Sequence, residues 1–206
     1  MVLLTLIIGL ITSYLGSITP SMLNITAIKL RLENGKKNAI QFAFGVAFIV
    51  IFQAYIGLYI LTILNQYPSI LDQLQIVIVI VFAALSIFFY LKSRKDRQED
   101  LAIDTPKKIK NGFLIGVSLS SINMFAIPFF CGVGAMLNLY DWFLLEPISM
   151  LAFSLGSSIG AFFILYHYIL LAEKIRPRLQ SYTQHFNMAL AVLTGFLALF
   201  TFFKLL

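Results

Sequence analysis

Charge and thiols are scarce in this chain. Only 12% of its 206 residues are charged, about half the share of a water-soluble domain. There is one cysteine, Cys131, inside an apolar stretch. One cysteine makes neither an intrachain disulfide nor a C-x-x-C pair, which excludes a thiol–disulfide carrier. Cys131 reads as a small packing residue. The two histidines have no acids beside them, so no metal site is expected. G-x-G-x-x-G, P-loop, H-E-x-x-H and Ser-His-Asp arrangements are all missing, and no enzyme activity or cofactor is expected. The net charge of +6 follows the loops and forms no patch, so nucleic acid is not an expected partner.

What is present is apolar. Hydrophobic residues make up 60% of the chain, in runs spread over its whole length. Runs of about 18 or more such residues are the signature of membrane-spanning helices. The pattern predicts an all-α integral membrane protein with six transmembrane helices, near 2–28, 40–63, 74–91, 112–137, 148–172 and 186–204. The opening run "MVLLTLIIGLITSYLGSI" has no basic leader and no small-x-small cleavage site, and reads as a retained helix.

Fourteen of the fifteen Lys and Arg fall in the first, third and fifth loops, at 29–39, 92–111 and 173–185. The positive-inside rule puts those loops in the cytoplasm and both termini outside. Lys204, at the end of the last helix, is the exception and can snorkel. The lipid bilayer is the expected surrounding, and the bacterial cytoplasmic (inner) membrane the expected location. Spans 1–3 and 4–6 then run in opposite senses. The chain reads as one transmembrane domain, 1–206, made of two inverted three-helix repeats. Repeat 1 is 1–91, the charged linker is 92–111 and repeat 2 is 112–206.

Two short stretches carry the repeat. Ser17-Ile18-Thr19-Pro20 matches Ser121-Ile122-Asn123-Met124. Gly9, Ser13 and Ser17 match Gly112, Gly116 and Ser120, one residue out of register with the first match. Inverted repeats with broken helices are a recurrent plan of secondary transporters. Thr followed by Pro is the sequence of a helix start, with Thr19 as cap and Pro20 as first residue. Asn123 is also a good cap, and Pro128 frees the Met124 carbonyl. Helices 1 and 4 are therefore expected to be broken or kinked. Two half-helix starts inside the membrane could hold an anionic group; a silent proline kink is the alternative.

The candidate solute-binding residues are Thr19, Pro20, Asn24, Gln53, Asn123 and Met124. Gln53 is a polar side chain deep in the second span, able either to touch solute or to bridge two helices. Gly45, Gly116, Gly156 and Gly160 are expected at close helix contacts. His167 lies near a helix end and reads as interfacial rather than as a proton relay. No Asp, Glu, Lys or Arg lies deep in a span, so the usual carriers of proton coupling are missing.

The stretch "TPSMLNITAIKLRLENGKKNAIQFAFG" resembles the first motif of the lysine exporter (LysE) translocator superfamily, which includes the homoserine and threonine exporters. Pro20, Gly35-Lys36-Lys37 and Gly45 keep its spacing. Gly116, Asn123, Ala126 and Phe129-Phe130 resemble its second motif. Ser21-Met22 stands where the family has Gly-Pro, Met124-Phe125 where it has Pro-Lys, and Val50 where an Asp is common. The resemblance covers spans one, two and four. It implies a secondary transporter exporting a small polar solute, an amino acid or derivative, by alternating access. A non-catalytic membrane subunit or a cation exporter is the alternative, and homo-oligomerisation is left open. A membrane acyltransferase would need Gly-Asn and Gly-His-Lys stretches that this sequence lacks.

Overall fold

A computed structural model describes residues 2–18, 21–67, 111–123, 125–139 and 145–175, with twelve further helical positions at 83, 86, 87, 90, 91, 94, 188, 191, 192, 195, 196 and 199. The described residues are helices and the turns that join them, with no strand among them. The chain divides into two compact units: residues 1–63 with 105–176, and residues 64–104 with 177–206.

In the first unit, α1 is Val2–Gly16, α2 is Met22–Glu33 and α3 is Gly35–Gln66. After these come α4, Gly112–Ile122, α5, Ala126–Leu139, α6, Pro147–Leu170, and the short α7, Ala172–Ile175. The first expected span is thus two helices, and so is the fourth. The expected loop 29–39 is almost entirely helical. α2 runs on through Lys29 and Arg31, and Gly35 alone makes the turn, at φ +84°. A left-handed glycine stops a helix without a Cβ penalty, so α3 begins at once. Charged residues past a membrane surface do not require a loop; a helix keeps its own backbone bonds paired in either medium.

α3 and α6 are each long and apolar enough to cross a membrane. α3 has 32 residues, a length of about 48 Å at 1.5 Å per residue, against a hydrocarbon core of about 30 Å. α4 and α5 together would make a third span, bent by 64° at their junction. α1, with 15 residues, is apolar but shorter. Among the described residues there are therefore two spans, or three with the bent pair, where six were expected. The breaks cut the first and fourth expected spans into pieces. The third and sixth fall mostly outside the described residues.

The outward helix faces are apolar, unlike those of a soluble protein. Phe44, Phe48, Phe52 and Ile56 form an exposed stripe on α3, and Leu151, Leu155, Ile159 and Phe163 form one on α6. The buried faces mix apolar side chains such as Phe42, Leu58 and Phe153 with small and neutral polar residues, among them Thr5, Ser13, Ser154 and Ser157. Spacings of four residues put each stripe on one face. Apolar faces of this extent turned outward fit lipid, where an exposed Phe costs nothing. The chain is a membrane-embedded helical protein.

Glycine sets how closely the helices approach. α1 lies against α6: a methyl group at Gly156 would run into the Leu6 carbonyl, one at Gly160 into the Leu10 carbonyl, and one at Gly9 into the Phe153 carbonyl. The Ser157 hydroxyl donates to the Gly9 carbonyl across the same contact, at 3.3 Å. α3 lies against α4 in the same way, with Gly45 on the Phe113 carbonyl, Gly116 on that of Phe42 and Gly112 on that of Asn38. Small residues let membrane helices bring their backbones together, where dispersion and weak polar contacts replace the missing hydrophobic drive.

In the second unit, the Ser86 hydroxyl donates to the Ala191 carbonyl at 2.8 Å, and Gly195 lies beside Ser86. These positions belong to the third and sixth expected spans, and the described ones are helical.

Candidate functional site

The first break follows α1. The Ser17 amide still bonds back to Ser13 and the Ile18 amide to Leu15, at 3.1 and 3.2 Å. Ser21 is extended (φ −107°, ψ 171°) and caps α2 by accepting from the Asn24 amide at 3.4 Å. The half-helix therefore starts at Met22, two residues later than the Thr19–Pro20 reading. Ser and Thr are both good caps, and the extended backbone at Ser21 decides between them. Thr19 and Pro20 themselves lie outside the described residues.

A continuous helix would pair the Ser17 and Ile18 carbonyls with the amides of residues 21 and 22. The break removes those partners, and side chains replace them. Asn24 Nδ2 donates to the Ser17 carbonyl at 3.0 Å. The Tyr168 hydroxyl, from α6, donates to the Ile18 carbonyl at 2.6 Å. Asn24 is buried, at 1% exposure, and its side chain is also hydrogen-bonded to Tyr168.

The second break is built alike. Asn123 ends α4 with its amide bonded back to the Ser120 carbonyl at 3.0 Å. Its Oδ1 accepts from the Phe125 amide at 3.3 Å, just ahead of α5. Asn123 thus closes one helix and its side chain leads into the next. Pro128 lies in the first turn of α5, where its missing N–H has no intrahelical partner to lose. Met124 lies outside the described residues.

Here the carbonyls are held by Gln53 of α3. Its Nε2 donates to the Ser120 carbonyl at 2.7 Å and, more weakly, to that of Asn123 at 3.4 Å. Gln53 is 5% exposed. Its two sequence readings, bridge and solute contact, now have a geometry for the first: it ties α3 to the break. Of the candidate residues, Gln53 and Asn123 meet at one break and Asn24 belongs to the other. Gly45 and Gly116 lie in the α3–α4 contact, Gly156 and Gly160 in the α1–α6 contact, and Gly35 makes the α2–α3 turn.

Tyr168 was missed in the sequence, and Ser21 and Ser120 appeared there only as a motif departure and a repeat match. The available signal for Tyr168 was a phenol within "LYHYILL", since a buried Tyr hydroxyl needs a partner. His167, its neighbour, is exposed; its Nδ1 is 2.8 Å from the Phe163 carbonyl and its ring meets Tyr14 edge-on.

The buried polar side chains among the described residues are all neutral. No group of three or more His, Cys, Asp or Glu comes together among them. The site therefore offers hydrogen bonds and helix ends, without fixed charge. The carbonyl ends of α1 and α4 carry partial negative charge, and the amide ends of α2 and α5 partial positive charge.

Tyr168→Phe is expected to lower stability by about 1 kcal/mol, the net worth of a typical hydrogen bond, since the bond to the Ile18 carbonyl is part-buried. Thermal unfolding of the purified protein in detergent measures it. An unchanged midpoint would mean that the Tyr168 bond does not hold the first break.

No family model, curated protein or solved structure matches this chain.

Proposed function

We propose that the chain is a secondary transporter that exports a small polar solute, an amino acid or derivative, across the bacterial cytoplasmic membrane by alternating access. One observation carries this reading. Two helices break at Ser17–Ser21 and at Asn123–Phe125, and each break is tied by a neutral side chain of a long apolar helix, Tyr168 or Gln53. Irregular backbone at membrane depth is tolerated where protein buries it or where it lines a cavity, and transporters use it for binding. Helix ends of both polarities at a break suit a zwitterion, with ammonium toward carbonyls and carboxylate toward amides.

The inverted repeat of 1–91 and 112–206 belongs to this proposal. Support comes from reciprocal packing: α1 lies on α6 through Gly156 and Gly160, and α4 on α3 through Gly45. An inverted repeat would exchange those pairs. Membership of the lysine exporter superfamily, and export as the direction, rest on the motif spacing around Pro20, Gly35, Gly45, Gly116 and Asn123.

Cells expressing the protein, loaded with a panel of amino acids and dipeptides with and without a proton gradient, test the proposal. Faster loss of at least one solute than from control cells is expected; equal loss of all would overturn it.

Orientation has its own expected outcome. In a Cys131→Ala background, an impermeant thiol reagent reaches cysteine placed at Asn65 from outside but not cysteine placed at Lys95. Reversed labelling would invert the topology.

A further inference from the structure

The Gln53 amide is oriented by its bonds. Nε2 faces the Ser120 and Asn123 carbonyls, and an oxygen there would repel them, so the amide orientation is set. Oε1 is left buried with no hydrogen-bond partner, and the Ser120 hydroxyl is left so too. Gln53 is 5% exposed and Ser120 is fully buried. Buried polar atoms in proteins are nearly always paired, yet two unpaired ones lie on residues that touch each other at a helix break.

The Ser120 hydroxyl has an ordinary alternative that it does not take. Thr26, Thr62, Ser121 and Ser154 each donate to the carbonyl four residues earlier, at 2.8–3.1 Å. Ser121, the very next residue, does so with Val117. Ser120 leaves its oxygen free at the last turn of α4.

Both unpaired atoms are neutral oxygens at the carbonyl, partially negative end of a half-helix. An anion is repelled there. A divalent cation would want carboxylates, and the buried polar side chains here are neutral. A monovalent cation needs neither, and half-helix carbonyl ends serve sodium in other broken-helix transporters.

We propose that Gln53 Oε1 and Ser120 Oγ are ligands of a sodium ion at the α4 end of the second break. The ion's task as coupling ion rests on the transport reading above; its binding does not. It supplies the coupling charge that the spans lack.

The test is thermal unfolding of the purified full-length protein in detergent without solute, in sodium chloride or choline chloride at equal ionic strength. Sodium is expected to raise Tm by about 3–5 °C once it exceeds its Kd about tenfold. Ser120→Ala deletes a hydroxyl that pairs with nothing, so it folds, and it is expected to lose the sodium shift. Ser121→Ala, whose hydroxyl is already paired, keeps it. The proposal is overturned if sodium and choline give the parental protein the same Tm, or if Ser120→Ala retains the whole shift. Solute export without a sodium shift would remove this site and leave the transport reading; a sodium shift with no export of any solute would do the reverse.

Discussion

Gly156→Leu is expected to separate α1 from α6 and cost at least about 3 kcal/mol, the upper end of the range for overpacking. A Cβ at this position meets the Leu6 carbonyl and the Leu10 amide nitrogen, which are backbone atoms and cannot rotate away. The α1 backbone must move, and the neighbouring contacts at Gly9 and Gly160 move with it. The Ser157 bond to the Gly9 carbonyl crosses the same seam and is lost as the helices part. Gly132→Ala is the matched control. A Cβ there has nothing within 4 Å, so the change should be neutral or stabilise α5 by about 0.5–1 kcal/mol through lower backbone entropy. Thermal unfolding of both variants beside the parent decides. Equal midpoints for the two glycine variants would mean that the α1–α6 seam is looser than the structure places it.

Gln53→Leu is expected to leave the fold nearly intact and remove transport. The change deletes a donor that holds the Ser120 and Asn123 carbonyls, a loss of about 1–3 kcal/mol, and it also deletes the unpaired Oε1, a gain of similar size. The Ser120 carbonyl keeps its bond from the Asn123 amide, so that carbonyl is not left bare. Unfolding therefore shifts by about 1 kcal/mol or less. The tie between α3 and the break is nonetheless gone, and the break no longer has one fixed geometry. A loss of 1.4 kcal/mol in solute binding alone lowers affinity about tenfold, and export should fall at least that far. Parental flux from Gln53→Leu would mean that this break is only a structural kink.

The breaks were legible in the sequence because they are local. Proline, a cap residue and small neighbours within four positions announce a helix interruption wherever they occur. Their register was less legible. Thr19 and Ser21 are both capping residues two positions apart, and only the backbone conformation at Ser21 separates them. The ties across the breaks were not legible as pairs. Gln53 was conspicuous as a polar residue in an apolar helix, but its partners lie 67 and 70 residues away. Tyr168 reaches 150 residues back to Ile18, and no local pattern encodes such a distance. The 29–39 stretch misled for the opposite reason. Four basic residues look like a loop, yet α2 and α3 continue through them because a single left-handed glycine makes the turn.

Efflux from liposomes containing the purified protein measures the transport claim most directly. The liposomes are loaded in turn with labelled amino acids and dipeptides, and folding is checked by circular dichroism on the same sample. The account predicts saturable efflux of at least one solute, slowed by the same solute unlabelled and about tenfold or more slower with Gln53→Leu. Efflux of every solute at the rate of protein-free liposomes, from protein that is helical and folded, would contradict it.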